Sequence, residues 1–209
     1  MLFRSVETVN HFVLLATFYN ALGVQPDAGR SDRLPKAAYR VEVARREPPL
    51  ATARYEPLEG RGIAVTRTFQ RHPVLNEHWS PRQTFILRTS KVTPHDRELV
   101  ILRSGWNCRA EYEWAKHVGS VGRAREHGLE PRHIAEGAAS PAWSPFEQAL
   151  LTMADELYRD RGVSDGTWKA LTGSSGYDAG LAMSAIFSDR KSTRLNSSHV
   201  SEFRMPSSA

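Results

Sequence analysis

Apolar residues recur along this chain at three- and four-residue intervals, and nowhere do they alternate with period two for long enough to build a sheet. The pattern predicts an all-α, compact helical domain. In 6–23 (VETVNHFVLLATFYNALG), Val9, Phe12, Val13, Ala16, Tyr19 and Asn20 lie along one side, Leu15, Phe18 and Leu22 widen the apolar arc, and Gly23 fits a C-terminal cap. Arg4 ahead of that run is also the layout of a signal peptide, but Glu7, Asn10 and His11 interrupt it and no small-residue cleavage site follows. Residues 25–33 read as a linker, and 34–62, with Pro48, Pro49 and Pro57, as an irregular arm. A short helix over 63–71 ends at His72-Pro73, and 74–90 is helical with Pro81 near a bend or a new start.

The next two helices carry the chemistry. Thr93-Pro94 supplies an N-cap and a first-turn proline for a helix running to about Trp106, burying Leu99, Val100 and Leu102. After a tight bend near Trp106–Cys108, a second helix is expected from Asn107 to His127, closed by Gly128. On it Ala110, Glu113 and His117 stand at i, i+3 and i+7 and share one stripe. A carboxylate one turn from His117 favours the imidazolium. A hairpin-like reversal brings Glu98 of the first helix alongside, making a carboxylate–imidazole–carboxylate cluster suited to moving protons. The same spacing also fits a solvated Glu–His pair on a helix surface.

Further on, 131–136 reads as a short helix, and Ser144-Pro145-Phe146-Glu147 is a capping box opening a helix to about Arg161 that buries Phe146, Leu150, Met153, Ala154 and Leu157. Ser164 or Asp165 caps 166–171, 173–176 is a loop, and 178–188 begins another apolar helix.

Composition narrows the class. The chain has 209 residues, enough for one domain with a real core, and a net charge of +5. Its ends look foreign to that domain. The string DRKSTRLNSSH at 189–199 matches the translation of a common sequencing-adapter oligonucleotide, RMPSSA at 204–209 fits the adapter further along, and MLFRS at 1–5 fits its reverse complement. A disordered tail is expected there in any case, from its Ser, Arg, Asn and Thr content. Segment 189–209 holds four basic residues against two acidic ones and Arg4 adds another, so the remaining residues carry only +2. The apparent basicity therefore gives little support to nucleic-acid or membrane partners. No run is long and apolar enough to span a bilayer, and a cytoplasmic protein is expected. Cys108 is the single cysteine, so no internal disulfide forms and nothing points to an oxidising compartment. No Cys/His grouping has zinc-ligand spacing and no glycine-rich phosphate loop occurs, so neither metal nor cofactor is expected.

The run RELVILRSGWNCRAEYEWAKHV at 97–118 resembles the carboxymuconolactone decarboxylase family, whose superfamily includes alkyl hydroperoxidase D. The hydroperoxidase pattern is a Glu, then C-x-x-C, then a His four residues past the second Cys. Laid on this chain, the relay Glu falls on Glu98 and the relay His on His117, while the cysteine positions fall on Ala110 and Glu113. The acid–base residues match and the redox pair does not. The resemblance spans about 34–188 and implies an alkyl hydroperoxidase D-like helical fold, with Glu98 facing the pocket and trimers or hexamers as the common assembly. It also likens 6–24 to the closing helix of a preceding family domain, through the N-x-x-G-V run Asn20–Val24, and suggests two domains in tandem. It places 186–188 where 6–8 stands in that helix, so the second domain's last helix looks truncated. Residues 9–23 would then fill the vacant groove and bring His11 to the pocket.

Three functions follow. The first is acid–base chemistry, decarboxylation or a related proton transfer, on a small carboxylate or lactone: a lyase-like enzyme with His117 as proton donor or relay and Glu98 and Glu113 as its tuning carboxylates. Tyr112 and Trp114 would wall the pocket, and Arg103 or Arg109 would hold a substrate carboxylate unless both lie on the surface. The second is peroxiredoxin-like hydroperoxidase activity. It needs an attacking and a resolving thiol, so Cys108 would depend on an external thiol partner, and a small packed side chain is the plainer role for it. The third is a non-catalytic helical assembly protein.

Overall fold

A computed structural model describes residues 57–108, 110–173 and 178–188. Every regular element among them is helical. In chain order these are α1 (Ala64–Gln70), α2 (Pro73–Thr84), a wide π turn (Phe85–Thr89), α3 (Pro94–Asn107), α4 (Glu111–Val118), a 3-10 turn (Ala124–His127), α5 (Pro131–Glu136), α6 (Pro145–Arg159), α7 (Asp165–Thr172) and α8 (Ala179–Ser188). The segments 6–24 and 25–33, the docking of 9–23, the arm up to residue 56 and both adapter-like ends lie outside the described residues. No helix among the described residues is long and apolar enough to cross a membrane.

The domain is built around α3, against which α4, α5, α6, α8 and the 3-10 turn all pack. Its start follows from local chemistry: Thr93 Oγ1 accepts the Asp96 amide at 3.1 Å, and Pro94 occupies the first turn, where its missing N–H costs nothing. Leu99, Val100, Ile101 and Leu102 are all buried, so α3 is apolar around most of its circumference, as a central helix must be. Leu150, Leu151, Met153 and Leu157 of α6, Ile134 of α5, Leu171 of α7 and Ile186 of α8 complete the same core. Each such aliphatic side chain contributes about 1.5–3 kcal/mol on burial.

Local signals hold at the other helix starts. Ser144 and Glu147 form the capping box, with the Ser144 amide donating to Glu147 Oε2 at 2.8 Å and the Glu147 amide to Ser144 Oγ at 3.3 Å. Ser164, rather than Asp165, caps α7 by accepting the Thr167 amide at 3.2 Å. His72 ends α1 as expected and also caps α2, its Nδ1 accepting the Leu75 amide at 3.1 Å.

Two expectations are corrected. Pro81 starts no new helix; α2 runs through it and then widens into the π turn, where the Ser90 amide donates to the Phe85 carbonyl, five residues back, at 2.7 Å. The second site helix does not reach His127 unbroken. It stops at Val118, and 119–123 form a turn before the 3-10 segment. The reason is steric as well as local: a Cβ on Gly122 would lie 2.5 Å from the His117 carbonyl oxygen and 2.8 Å from its Cα, and would collide with the Glu98 carboxylate. Only a glycine lets the chain double back this tightly over the pair.

Candidate acid–base site

Helices α3 and α4 pack against each other, which brings Glu98 and His117 together across nineteen residues of sequence. His117 Nδ1–H donates to Glu98 Oε2 at 2.5 Å. The other ring nitrogen, Nε2, lies 3.4 Å from Glu113 Oε2, one helical turn back on α4. Exposure decides against a solvated surface pair: Glu98 and His117 are each 1% exposed and Glu113 8%. A carboxylate only accepts, so Nδ1 carries the proton of the short bond.

The two carboxylates address opposite ring nitrogens and do not converge on a common point as ligands of one ion would, and no metal-binding cluster of three such groups occurs among the described residues. The three groups form a row, Glu98–His117–Glu113, with the imidazole in the middle.

Sequence reasoning missed a fourth member. Arg97 Nε donates to Glu98 Oε1 at 3.2 Å and its Nη1 to the Leu87 carbonyl at 3.0 Å. Its side chain is largely buried. The row therefore alternates in sign: guanidinium, carboxylate, imidazole, carboxylate. Burial by itself pushes the Glu98 carboxyl up, but the hydrogen bond and charge of His117, then Arg97, outweigh it and hold the group below the usual glutamate range. Gly122 is the second residue missed. Its signal was the G-x-x-G spacing of Gly119 and Gly122 inside a stretch otherwise patterned as helix.

Trp114 is half-buried against the main core, its ring 5.5 Å from that of Trp106, so it packs between α3 and α4 as part of the body of the domain. Cys108 is half-buried at the end of α3, with its amide donating to the Ser104 carbonyl at 2.9 Å. Ala110, at the first cysteine position of the hydroperoxidase pattern, is buried at the start of α4. His11, Arg109 and the Tyr112 side chain lie outside the described residues. Arg103 is neither a surface residue nor available to a substrate: its fork binds Asp155 at 2.6 and 2.9 Å, and Nη1 donates to the Ile134 and Ala135 carbonyls at 2.9 and 3.1 Å. It stitches α3, α5 and α6 together.

The fold and site together define a class: an all-helical domain with a buried carboxylate–imidazole–carboxylate row between adjacent helices. Comparison with protein-family models, curated proteins and solved structures finds no match to this chain.

Proposed function

We propose that this protein is an acid–base enzyme of the carboxymuconolactone decarboxylase-like type, moving a proton to or from a small carboxylate or lactone. The observation that carries the reading is the short Glu98–His117 bond, with Glu113 facing the opposite ring nitrogen in a nearly dry setting. A helical body with these groups on adjacent helices is also what an alkyl hydroperoxidase D-like fold requires, and we extend the proposal to that fold.

Glu98 fixes the ring and its tautomer through Nδ1, leaving Nε2 as the face from which a proton is delivered or taken. In decarboxylation, the bond between the carboxylate carbon and the adjacent carbon breaks, CO2 departs, and the electron pair remains on that carbon. The Nε2 proton then closes the valence. Glu113 returns a proton to Nε2 from solvent, so the net change consumes one proton and releases one CO2. Burial strengthens each electrostatic contact in the row. By resemblance, the working form is a trimer or hexamer.

The test is CO2 release from a panel of γ-lactone and unsaturated carboxylates, with wild type beside Glu98→Gln, Glu113→Gln and His117→Gln. Loss of a positioned acid or base lowers kcat by about 10²–10⁴-fold. Turnover that survives His117→Gln undiminished, or no turnover across the panel by wild type, rejects the reading.

A further inference from the structure

We propose that Arg97 is a positioning residue of the proton path, held in place by the π turn, which keeps the Glu98 carboxylate aligned on His117. The inference rests on the acid–base reading of that site and extends it to a neighbouring element.

Three observations converge. Arg97 and His117 take different oxygens of the same carboxylate: Arg97 Nε–H donates to Oε1 at 3.2 Å, while Nδ1–H of His117 donates to Oε2 at 2.5 Å. Glu98 is thereby held at both ends and its carboxylate plane is set. Second, the guanidinium is anchored by the Leu87 carbonyl at 3.0 Å. Leu87 sits in the π turn, where the local ladder is widened: Thr89 Oγ1 donates to the Thr84 and Phe85 carbonyls, and Ser90 Oγ to that of Ile86. Hydroxyls thus serve the carbonyls of Thr84, Phe85 and Ile86, and the next one, that of Leu87, is turned to Arg97. Wide turns of this kind are often found at functional sites. Third, α8 packs on the π turn as well as on α3, so the anchor belongs to the packed body of the domain. Lysine would substitute only in part, since one ammonium on a flexible stem keeps the charge but lacks the planar fork that spans both acceptors.

The charged groups facing Glu98 are His117 from α4 and Arg97 from its own helix, with Glu113 beyond the imidazole; the π turn contributes the Leu87 carbonyl. Losing the guanidinium removes a cation from one end of that row. Glu98 then binds a proton more readily.

The experiment follows the Glu98 side-chain carboxyl carbon and the His117 ring nitrogens by NMR across pH, in wild type, Arg97→Gln and Arg97→Lys. Expected in Arg97→Gln is an upward move of the Glu98 midpoint, with the acid limb of the rate profile moving the same way, and a fall in kcat of about tenfold at little changed KM. Arg97→Lys restores the midpoint in part. Should Arg97→Gln fail to fold, the wild-type Arg97 Nε resonance decides: it is expected to follow the Glu98 midpoint. An unmoved Glu98 midpoint in Arg97→Gln, or an Nε signal indifferent to Glu98, overturns the inference. The carboxyl measurement needs no substrate, so it decides the Arg97–Glu98 coupling even where turnover assays reject the functional reading.

Discussion

His117 donates its Nδ1 proton to Glu98 at 2.5 Å, joining two helices at a point where both side chains are sealed from water. A charge pair so placed is costly to break from one side, because the survivor stays buried without its partner. Glu98→Ala is expected to destabilise the domain by about 3–5 kcal/mol. Urea unfolding followed by circular dichroism checks this. A loss under 1 kcal/mol would mean that water reaches the pair.

Gly122 makes the bond possible by letting the chain turn against it. Gly122→Ala pushes a methyl group into the His117 backbone, which cannot yield without moving α4. A cost of about 1–3 kcal/mol is expected, together with displaced His117 ring resonances. Gly105→Ala is the control, since a Cβ there meets only the Trp114 amide nitrogen at an ordinary 3.8 Å.

A second His–Glu pair sets a pH dependence. His95 Nδ1–H donates to the His127 carbonyl at 2.7 Å, and Nε2 lies 2.7 Å from Glu147 Oε1. Burial lowers the His95 pKa, but the His127 carbonyl and Glu147 outweigh it and the net shift is upward. Glu147 moves the other way: burial raises it, and Ser144 and His95 hold it down. A raised histidine contributes stability that is fully present below its unfolded pKa and fades as pH climbs through its folded one. The depressed Glu147 and Glu98 contribute stability present above their unfolded values and lost as pH falls through their folded ones. Stability is therefore expected to peak in the mildly acidic range and to decline on both sides. His95→Gln is expected to flatten the alkaline decline and to weaken the acid limb by the part of the Glu147 shift that His95 supplies, while the Glu98 part stays; thermal unfolding across pH reads both.

Arg103 joins three helices through one guanidinium, and Gly137, at φ 84°, lies so close that a Cβ would come within 2.7 Å of its Nη2. Arg103→Lys keeps the charge but spans neither Asp155 oxygen pair nor both carbonyls at once. A loss of about 1–3 kcal/mol by chemical denaturation is expected, from carbonyls and a carboxylate left short of donors.

Cys108 separates the acid–base reading from the redox one. Cys108→Ser is expected to leave CO2 release unchanged and to show no thiol-dependent peroxide turnover to lose. Peroxide consumption in wild type that vanishes in Cys108→Ser would favour the hydroperoxidase alternative.

Sequence made legible whatever depends on near neighbours. The starts of α3, α6 and α7 were readable because a cap acts over three residues, and Thr93, Ser144 and Ser164 do what their spacing says. The core faces of α3 and α6 were readable from apolar periodicity, and the Glu113–His117 stripe from the helical repeat. Residue spacing alone favours a solvated Glu–His pair, since it does not report burial; the structure buries both. The π turn after Pro81 and the break at Gly119 were hidden, because a widened or interrupted helix keeps helix-like composition.

What the chain determined by itself is therefore its helical class, most helix boundaries and the stripe that carries Glu113 and His117. Tertiary structure decided the rest: that Glu98 meets His117 in a dry interior, that Arg97 closes the row while anchored on a wide turn ten residues upstream, that Gly122 makes room for it, and that Arg103 is spent on Asp155. Contacts between elements depend on how apolar faces pack, and packing is settled by the whole core at once, whereas capping and periodicity act within a turn or two.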